Sequence, residues 1–190
     1  MSVLVVVAVE AERDAIRDAL PDVVVAGIGP AAAAAATAAA LAGRRPDLVL
    51  SAGIAGGFDV PVGTVVVASR VVHADLGIET PSGFEPLGTA LEVPGANALA
   101  RRLGTRTGTV LTVSTVTGTA ATAAALRARY PDAVAEAMEG YGVATAAALL
   151  GVPFAEVRAI SNPVGPRDRP SWRIPEALAA LATALKELVA

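Results

Sequence analysis

A chain of 190 residues is long enough for one domain that removes roughly 70% of its unfolded surface from water, and 54% of its residues are hydrophobic against 17% charged. A net charge of −3 and an aromatic content of 3% exclude the clustered positive charge and stacking platforms of a nucleic-acid surface. There is no cysteine, hence no disulfide or thiol chemistry, and no apolar run reaches the ~20 residues of a membrane span.

Residues 3–9 form an unbroken, valine-rich run without a basic leader, so they read as neither a signal peptide nor a span. Such a run suits a strand covered on both faces and therefore a largely parallel sheet. Glu10-Ala11-Glu12-Arg13 opens a helix expected to reach about residue 20, which puts Glu12 at a strand-to-helix junction. Residues 22–26 read as a second strand. Gly27-Ile28-Gly29-Pro30 follows as a turn whose proline starts an alanine-rich helix over 31–42. It lacks the third glycine of a phosphate-binding fingerprint. Residues 47–51 read as a buried strand entering a glycine-rich turn, 52–58. There Gly53, Gly56 and Gly57 allow close approach of a ligand or close packing of two backbones.

A strand is expected over 64–69, extended or followed by 70–74. The one histidine, His73, lies near Asp75. With no second histidine and no cysteine, a structural or subunit-contact role is expected for it rather than a metal site. Residues 76–94 are rich in glycine and proline and show no period, so they read as an irregular lid or binding loop with Phe84 near its centre. A helix over 96–103, a strand over 107–113, a hydroxyl-rich turn Ser114-Thr115-Val116-Thr117-Gly118-Thr119 and a helix over 120–129 follow. Residues 132–135 read as a short strand that delivers Glu136-Ala137-Met138-Glu139-Gly140-Tyr141-Gly142 to the start of a helix over 143–150. Met138 offers a soft apolar contact for a sugar or base. Glu139 offers two acceptor oxygens for paired hydroxyls, and reads equally as a first-turn carboxylate facing the helix dipole. Gly140 and Gly142 allow the backbone to come close. The last strand, 153–160, ends at Ser161-Asn162-Pro163, where proline stops the ladder. A charged loop with Arg167, Asp168 and Arg169 leads to a closing helix over 174–189. The reading is one three-layer α/β/α domain over residues 1–190, with a central mixed, largely parallel sheet. Its polar and glycine-rich strand ends would converge on one cleft, as strand C-termini do in parallel sheets.

These pieces carry a resemblance. Ala8-Val9-Glu10-Ala11-Glu12, Gly27-Ile28-Gly29, Ser51 to Gly57, Met138-Glu139 and Val157-Arg158-Ala159-Ile160-Ser161-Asn162 stand in the order found in the nucleoside phosphorylase and nucleosidase superfamily. More narrowly, Thr115-Val116-Thr117-Gly118-Thr119, the segment from Glu136 to Gly142 and Ser161-Asn162-Pro163-Val164-Gly165-Pro166-Arg167-Asp168 are similar to the futalosine-hydrolysing branch of that superfamily. The resemblance implies a nucleoside phosphorylase-like fold and hydrolysis of an N-glycosidic bond in menaquinone biosynthesis. Hypoxanthine would be released, leaving a ribose that bears an aromatic carboxylate. It implies a cytoplasmic homo-oligomer, dimer or higher, that takes a small-molecule nucleoside and uses no cofactor, metal, nucleic acid or membrane.

By the same resemblance Glu12 activates the attacking water and Met138 with Glu139 binds the ribose. Ser114, Thr115, Val116 and Thr117 line the base pocket, and Ile54 and Phe84 contact the substrate. Asn162 occupies the position of an aspartate that protonates N7 in adenine-releasing nucleosidases. An asparagine amide supplies two donors and suits the N7 and O6 acceptors of hypoxanthine; which group protonates the base is then open, with Asp168 a nearby acid. Arg167, Arg169 and Arg173, with Phe84, are candidates for the far end of the substrate. The alternative is another purine nucleosidase or a phosphorylase acting on 6-oxopurine or methylthioadenosine-type nucleosides. Phosphorolysis needs an anion site, and neither glycine-rich segment has an arginine beside it in the sequence, which favours hydrolysis. A non-enzymatic sugar sensor would need only one of the carboxylates Glu12 and Glu139.

Overall fold

A computed structural model describes residues 1–88 and 90–188. Strand β1 (Val3–Val7) is buried on both faces, as its unbroken apolar run requires. Leu4 and Val6 join a cluster with Ala33 and Leu41 of helix α2 (Pro30–Leu41) and Val143 and Ala147 of helix α5 (Gly140–Leu149). Val5 and Val7 join the larger cluster, which holds Ile16 of helix α1 (Glu10–Ile16) and Leu181 and Leu185 of helix α6 (Ile174–Lys186). Helices on both faces of the sheet make the three layers. The short side chains of α2 and α5 let these helices pack tightly, and a Cβ on Gly142 would overlap the carbonyl of Pro30.

The main sheet also contains β2 (Val23–Val25), β3 (Leu48–Gly57), β4 (Val65–His73), β7 (Ala90–Glu92), β8 (Arg106–Thr112), β9 (Ala133–Ala137) and β10 (Phe154–Pro163). It is mixed and largely parallel. β1–β2, β1–β3, β3–β10, β4–β8 and β8–β9 are parallel pairs, while β4–β10, β3–β9 and β4–β7 are antiparallel. Because β10 pairs with both β3 and β4, the strands β3, β10, β4, β8 and β9 close into a ring. Helices α3 (Ala96–Arg102) and α4 (Ala120–Arg129) complete the elements of the outer layers.

Two sequence expectations are corrected here. The segment 52–58 is not a turn after a short strand: β3 runs unbroken to Gly57. Its glycines serve close packing, since a Cβ on Gly57 would stand 2.7 Å from the carbonyl oxygen of Val60 and 2.8 Å from Ile160 Cγ2. The stretch 76–94 is not irregular over its described residues. It folds into a hairpin, β5 (Gly77–Thr80) against β6 (Gly83–Pro86), followed by β7. Most side chains of this hairpin are exposed, so no buried face imprinted a period on the sequence. Boundaries also differ modestly: α1 gives way to a turn after Ile16, and the expected end of α6 at Val189 lies outside the described residues.

Candidate active site

The site is set by how β3 shares its edges. One edge is paired with β10 over most of its length, from Val49 to Gly57. The other is divided: β1, parallel to β3, takes residues 48–51, and β9, antiparallel to β3, takes Gly56 and Gly57. The C-terminal ends of β1 and β9 therefore point at each other across the middle of β3. The polar strand ends do converge, though through opposed strands rather than the shared edge of a parallel sheet. Glu12 enters from the helix after β1 and Glu139 from the end of β9.

Glu12 is buried and held by three backbone donors. Its Oε2 accepts from the N–H groups of Ala8 (2.9 Å) and Val9 (3.3 Å), and its Oε1 from Ile54 N (3.0 Å), in the part of β3 that neither β1 nor β9 covers. Gly53 is required there, because a Cβ would overlap Glu12 Oε1 and stand 2.7 Å from Arg158 Nη1. Burial pushes the Glu12 carboxyl above the usual carboxylate range, and Arg158 with the N–H groups of Ile54 and Ala8 opposes that only in part.

Glu139 is the residue before α5, yet its side chain makes no capping bond to that helix. It reaches away, accepting at Oε1 from Gly29 N and at Oε2 from Arg158 Nη1, both at 3.3 Å. The first-turn reading of Glu139 is thereby set aside. Gly140 and Gly142 serve neighbours within the fold: a Cβ on Gly140 would run into the Glu156 carboxylate, as one on Gly142 would into Pro30.

Arg158 is the residue whose place the sequence reading missed. Only 1% exposed, it donates from Nε to Glu156 Oε1 (2.8 Å), from Nη1 to Glu139 and from Nη2 to Ser51 Oγ (2.9 Å). Burial alone would lower its pKa, but Glu156, Glu139 and Glu12 outweigh that and raise it. The expectation of no arginine beside the glycine-rich segments is corrected: Arg158, 105 residues away in sequence, stands against Gly53. Glu156 is buried completely, its Oε2 has no hydrogen-bond partner among the described residues, and burial raises its pKa.

A cavity of about 330 Å³ opens over this cluster. Glu12, Ile54, Val116, Thr117, Met138, Glu139 and Asn162 all line it, with Ile28, Gly56 and Glu136 beside them. Asn162 follows an irregularity in the β3–β10 register; its Oδ1 accepts from Ser161 Oγ (2.8 Å) and its Nδ2 donates to Pro163 O (2.9 Å), leaving one N–H free of these bonds. Arg167, Arg169 and Trp172 form part of the rim, with the Arg167 guanidinium 5.8 Å from the Trp172 ring. Asp168 and Arg173 are exposed and are not among the lining residues.

Three predicted residues fall elsewhere. Phe84 and Thr115 line a second cavity of about 660 Å³ between the β5–β6 hairpin and α4, where the Arg129 guanidinium lies 4.5 Å from the Phe84 ring. The two cavities share Val116 and Thr117. Ser114 lines neither: its N–H, with that of Thr115, donates to Asp75 Oδ2 and anchors the turn. His73 Nε2 stands 3.2 Å from Asp75 Oδ1 and its ring 5.4 Å from that of Tyr141, which supports a structural role.

Comparison with known proteins adds to this geometry. A family model described as the phosphorylase superfamily matches residues 21–190. The futalosine hydrolase of Streptomyces coelicolor is 53% identical to this chain, over 99% of the chain and 95% of its own length. That of Acidothermus cellulolyticus is 46% identical, over 97% and 89%. Among solved structures, the 5'-methylthioadenosine/S-adenosylhomocysteine nucleosidase of Neisseria meningitidis in complex with methylthio-immucillin-A has a TM-score of 0.87 at 23% identity, covering 98% of this chain and 97% of its own. The native futalosine hydrolase structure of Helicobacter pylori has a TM-score of 0.85 at 20% identity, covering 98% of this chain and 96% of its own.

Proposed function

We propose, from the premise that this chain belongs to the phosphorylase superfamily and, within it, to the futalosine hydrolases, that the cavity over Arg158 is where the N-glycosidic bond is cut. The activity is that of an N-glycosyl hydrolase: futalosine is split into hypoxanthine and the remaining sugar derivative, a step of menaquinone biosynthesis. The observation that carries the assignment of the site is the pair of buried carboxylates, Glu12 and Glu139, entering one cavity from opposed strand ends.

In this reading Glu12 takes a proton from water. Its raised pKa makes it a stronger base than a solvated carboxylate, and the backbone N–H groups fix its direction. Glu139 accepts from the ribose hydroxyls, with Met138 against the sugar. Three carboxylates, Glu12, Glu139 and Glu156, surround one guanidinium. That surplus of negative charge favours the positive charge that develops on the ribose ring as the bond breaks. Asn162 donates its free N–H to the purine as negative charge gathers on the leaving base. The same network argues against phosphate as nucleophile. Arg158 lies against Gly53, but one N–H on each of its three nitrogens is bonded to Glu156, Glu139 or Ser51, and the carboxylates around it repel an anion.

The rim residues Arg167 and Arg169 suit the aromatic carboxylate at the far end of the substrate. The neighbouring cavity under Phe84 and Arg129 is a second place of the same chemistry. A homo-oligomer belongs to this reading: Ile78 and Leu87, on and next to the hairpin, are 50% and 53% exposed, apolar surface that a second copy would cover. So does a cytoplasmic location; among the described residues no helix is long and apolar enough to cross a membrane.

The test is base release from futalosine, inosine and methylthioadenosine, with and without phosphate. Hypoxanthine release from futalosine at a rate independent of phosphate is expected. Release that requires phosphate and yields a sugar 1-phosphate would make the protein a phosphorylase.

A further inference from the structure

Glu136 has no part in the chemistry above, yet it is a buried carboxylate facing the same cavity. Its place follows from the strand register. On β3, Gly56 pairs with Glu136 of β9 on one side and with Asn162 of β10 on the other. Residues paired directly across strands project from the same face of a sheet. Glu136 and Asn162 thus stand on one face, two strand spacings or ~10 Å apart, with a residue lacking a side chain between them. An alanine Cβ at Gly56 would come 3.4 Å from Asn162 Nδ2 and 2.8 Å from Val164 Cγ2, so the Asn162 amide and the Val164 side chain lie over Gly56, beside the cavity that all three line. Glu136 and Asn162 both line the cavity of about 330 Å³, a slot with room for one planar base.

The two walls differ in kind. Asn162 presents an N–H donor. Glu136 presents acceptors: Oε1 accepts from Thr117 N at 2.9 Å, Oε2 is hydrogen-bonded to Thr117 Oγ1 at 2.5 Å, and each oxygen has a second lone pair. A 6-oxopurine shows acceptors at N7 and O6 and then a donor, N1–H. A 6-aminopurine shows a donor at N6 and a bare acceptor at N1. We infer that Glu136 is a specificity-determining residue that accepts the N1–H of a 6-oxopurine, while Asn162, across Gly56, donates to the N7 and O6 side of the same base. Adenine placed in this slot would set its N1 lone pair against those of Glu136 and leave a buried polar pair unsatisfied. The inference rests on the 6-oxopurine hydrolase reading and deepens it, adding an acceptor to the donor that Asn162 provides.

Two measurements test it. Glu136→Gln, whose amide donates to a bare N1, is assayed on futalosine and on its 6-amino counterpart. The ratio of the two kcat/KM values, futalosine over 6-amino, is expected to fall at least ~10-fold from wild type. An unchanged ratio, with both rates lowered together, would reduce Glu136 to a support for Thr117 and overturn the inference. Wild-type protein is also titrated with hypoxanthine, 1-methylhypoxanthine and adenine, which requires no variant to fold. The methylated base and adenine are each expected to bind at least ~10-fold more weakly than hypoxanthine. Equal affinity for hypoxanthine and its 1-methyl form would overturn the assignment of Glu136. Failure of the wild type to release hypoxanthine from futalosine would instead sink the hydrolase reading itself, and the two failures are thereby told apart.

Discussion

Glu12 receives three backbone N–H groups, from Ala8, Val9 and Ile54, and lies close enough to Arg158 for their charges to interact. A glutamine there keeps the shape but turns an NH₂ toward one of those donors, and an amide cannot take a proton from water. Glu12→Gln is expected to lower kcat by at least ~10²-fold, with the circular dichroism spectrum of the wild type; near-normal turnover would remove Glu12 from the reaction. At this scale the sequence was informative about Glu12, Glu139 and Asn162, because each lies at or just beyond the end of a strand, where a polar group stands out against apolar neighbours. It was silent about the partners of Arg158. Yet Glu156 and Arg158 are two charges spaced i, i+2 in the otherwise apolar first part of β10, which places them on one face. Two opposite charges on one buried face are the signature of an internal ion pair, and that spacing was the available signal. Glu136 was hidden differently: its importance lies in its register with Gly56 and Asn162, and a strand's partners are not written in its own residues.

Strand β3 shows why the glycine-rich segment reads as a turn and folds as a strand. Glycine weakens a strand because it adds backbone entropy and packs no side chain, so Gly53, Gly56 and Gly57 together suggest a break. Here each is required by something beside it: the Glu12 carboxylate at Gly53, Val164 at Gly56, and Ile160 with the Val60 carbonyl at Gly57. The substitutions should therefore separate by function. Gly53→Ala forces Glu12 and Arg158 apart and is expected to lose ~1–3 kcal/mol of stability and most activity together. Gly57→Ala should lose comparable stability, read as a lower urea midpoint, while retaining kcat at temperatures where it is folded. Equal retention of kcat in both variants would mean that Glu12 is not held where the chemistry needs it. The elements of the three layers were legible from apolar and alanine-rich runs. The hairpin β5–β6 was not, since its side chains meet solvent and no core imposes a pattern on them.

For the molecule as a whole, the buried charges are an electrostatic load on folding. Glu156 binds its proton more tightly in the folded protein than in the unfolded chain, because burial outweighs the guanidinium of Arg158. Between the unfolded carboxylate value of ~4.3 and the raised folded value, unfolding therefore releases a proton, and this group's contribution to stability is lost as pH rises. Glu156→Gln has no proton to lose. Relative to wild type its Tm is expected to climb with pH across that window, ending ~2–4 °C higher at neutral pH, with the gap closing under acid conditions. A constant difference at every pH would show that Glu156 titrates as it does in the unfolded chain.

The ring of β3, β10, β4, β8 and β9 has a thermal consequence. The walls and floor of the base slot, Glu136, Asn162 and Gly56, belong to three members of that ring, each of which pairs with a neighbour on both sides. Local fraying begins at free edges and termini, and closing the ring leaves none of these strands at the edge of the sheet, with only residues 52–55 of β3 uncovered on one side. The spacing between donor and acceptor cannot loosen ahead of the fold. Warming the protein should raise its rate without blurring its choice of base, and fidelity should persist until it is lost in the same transition that unfolds the sheet.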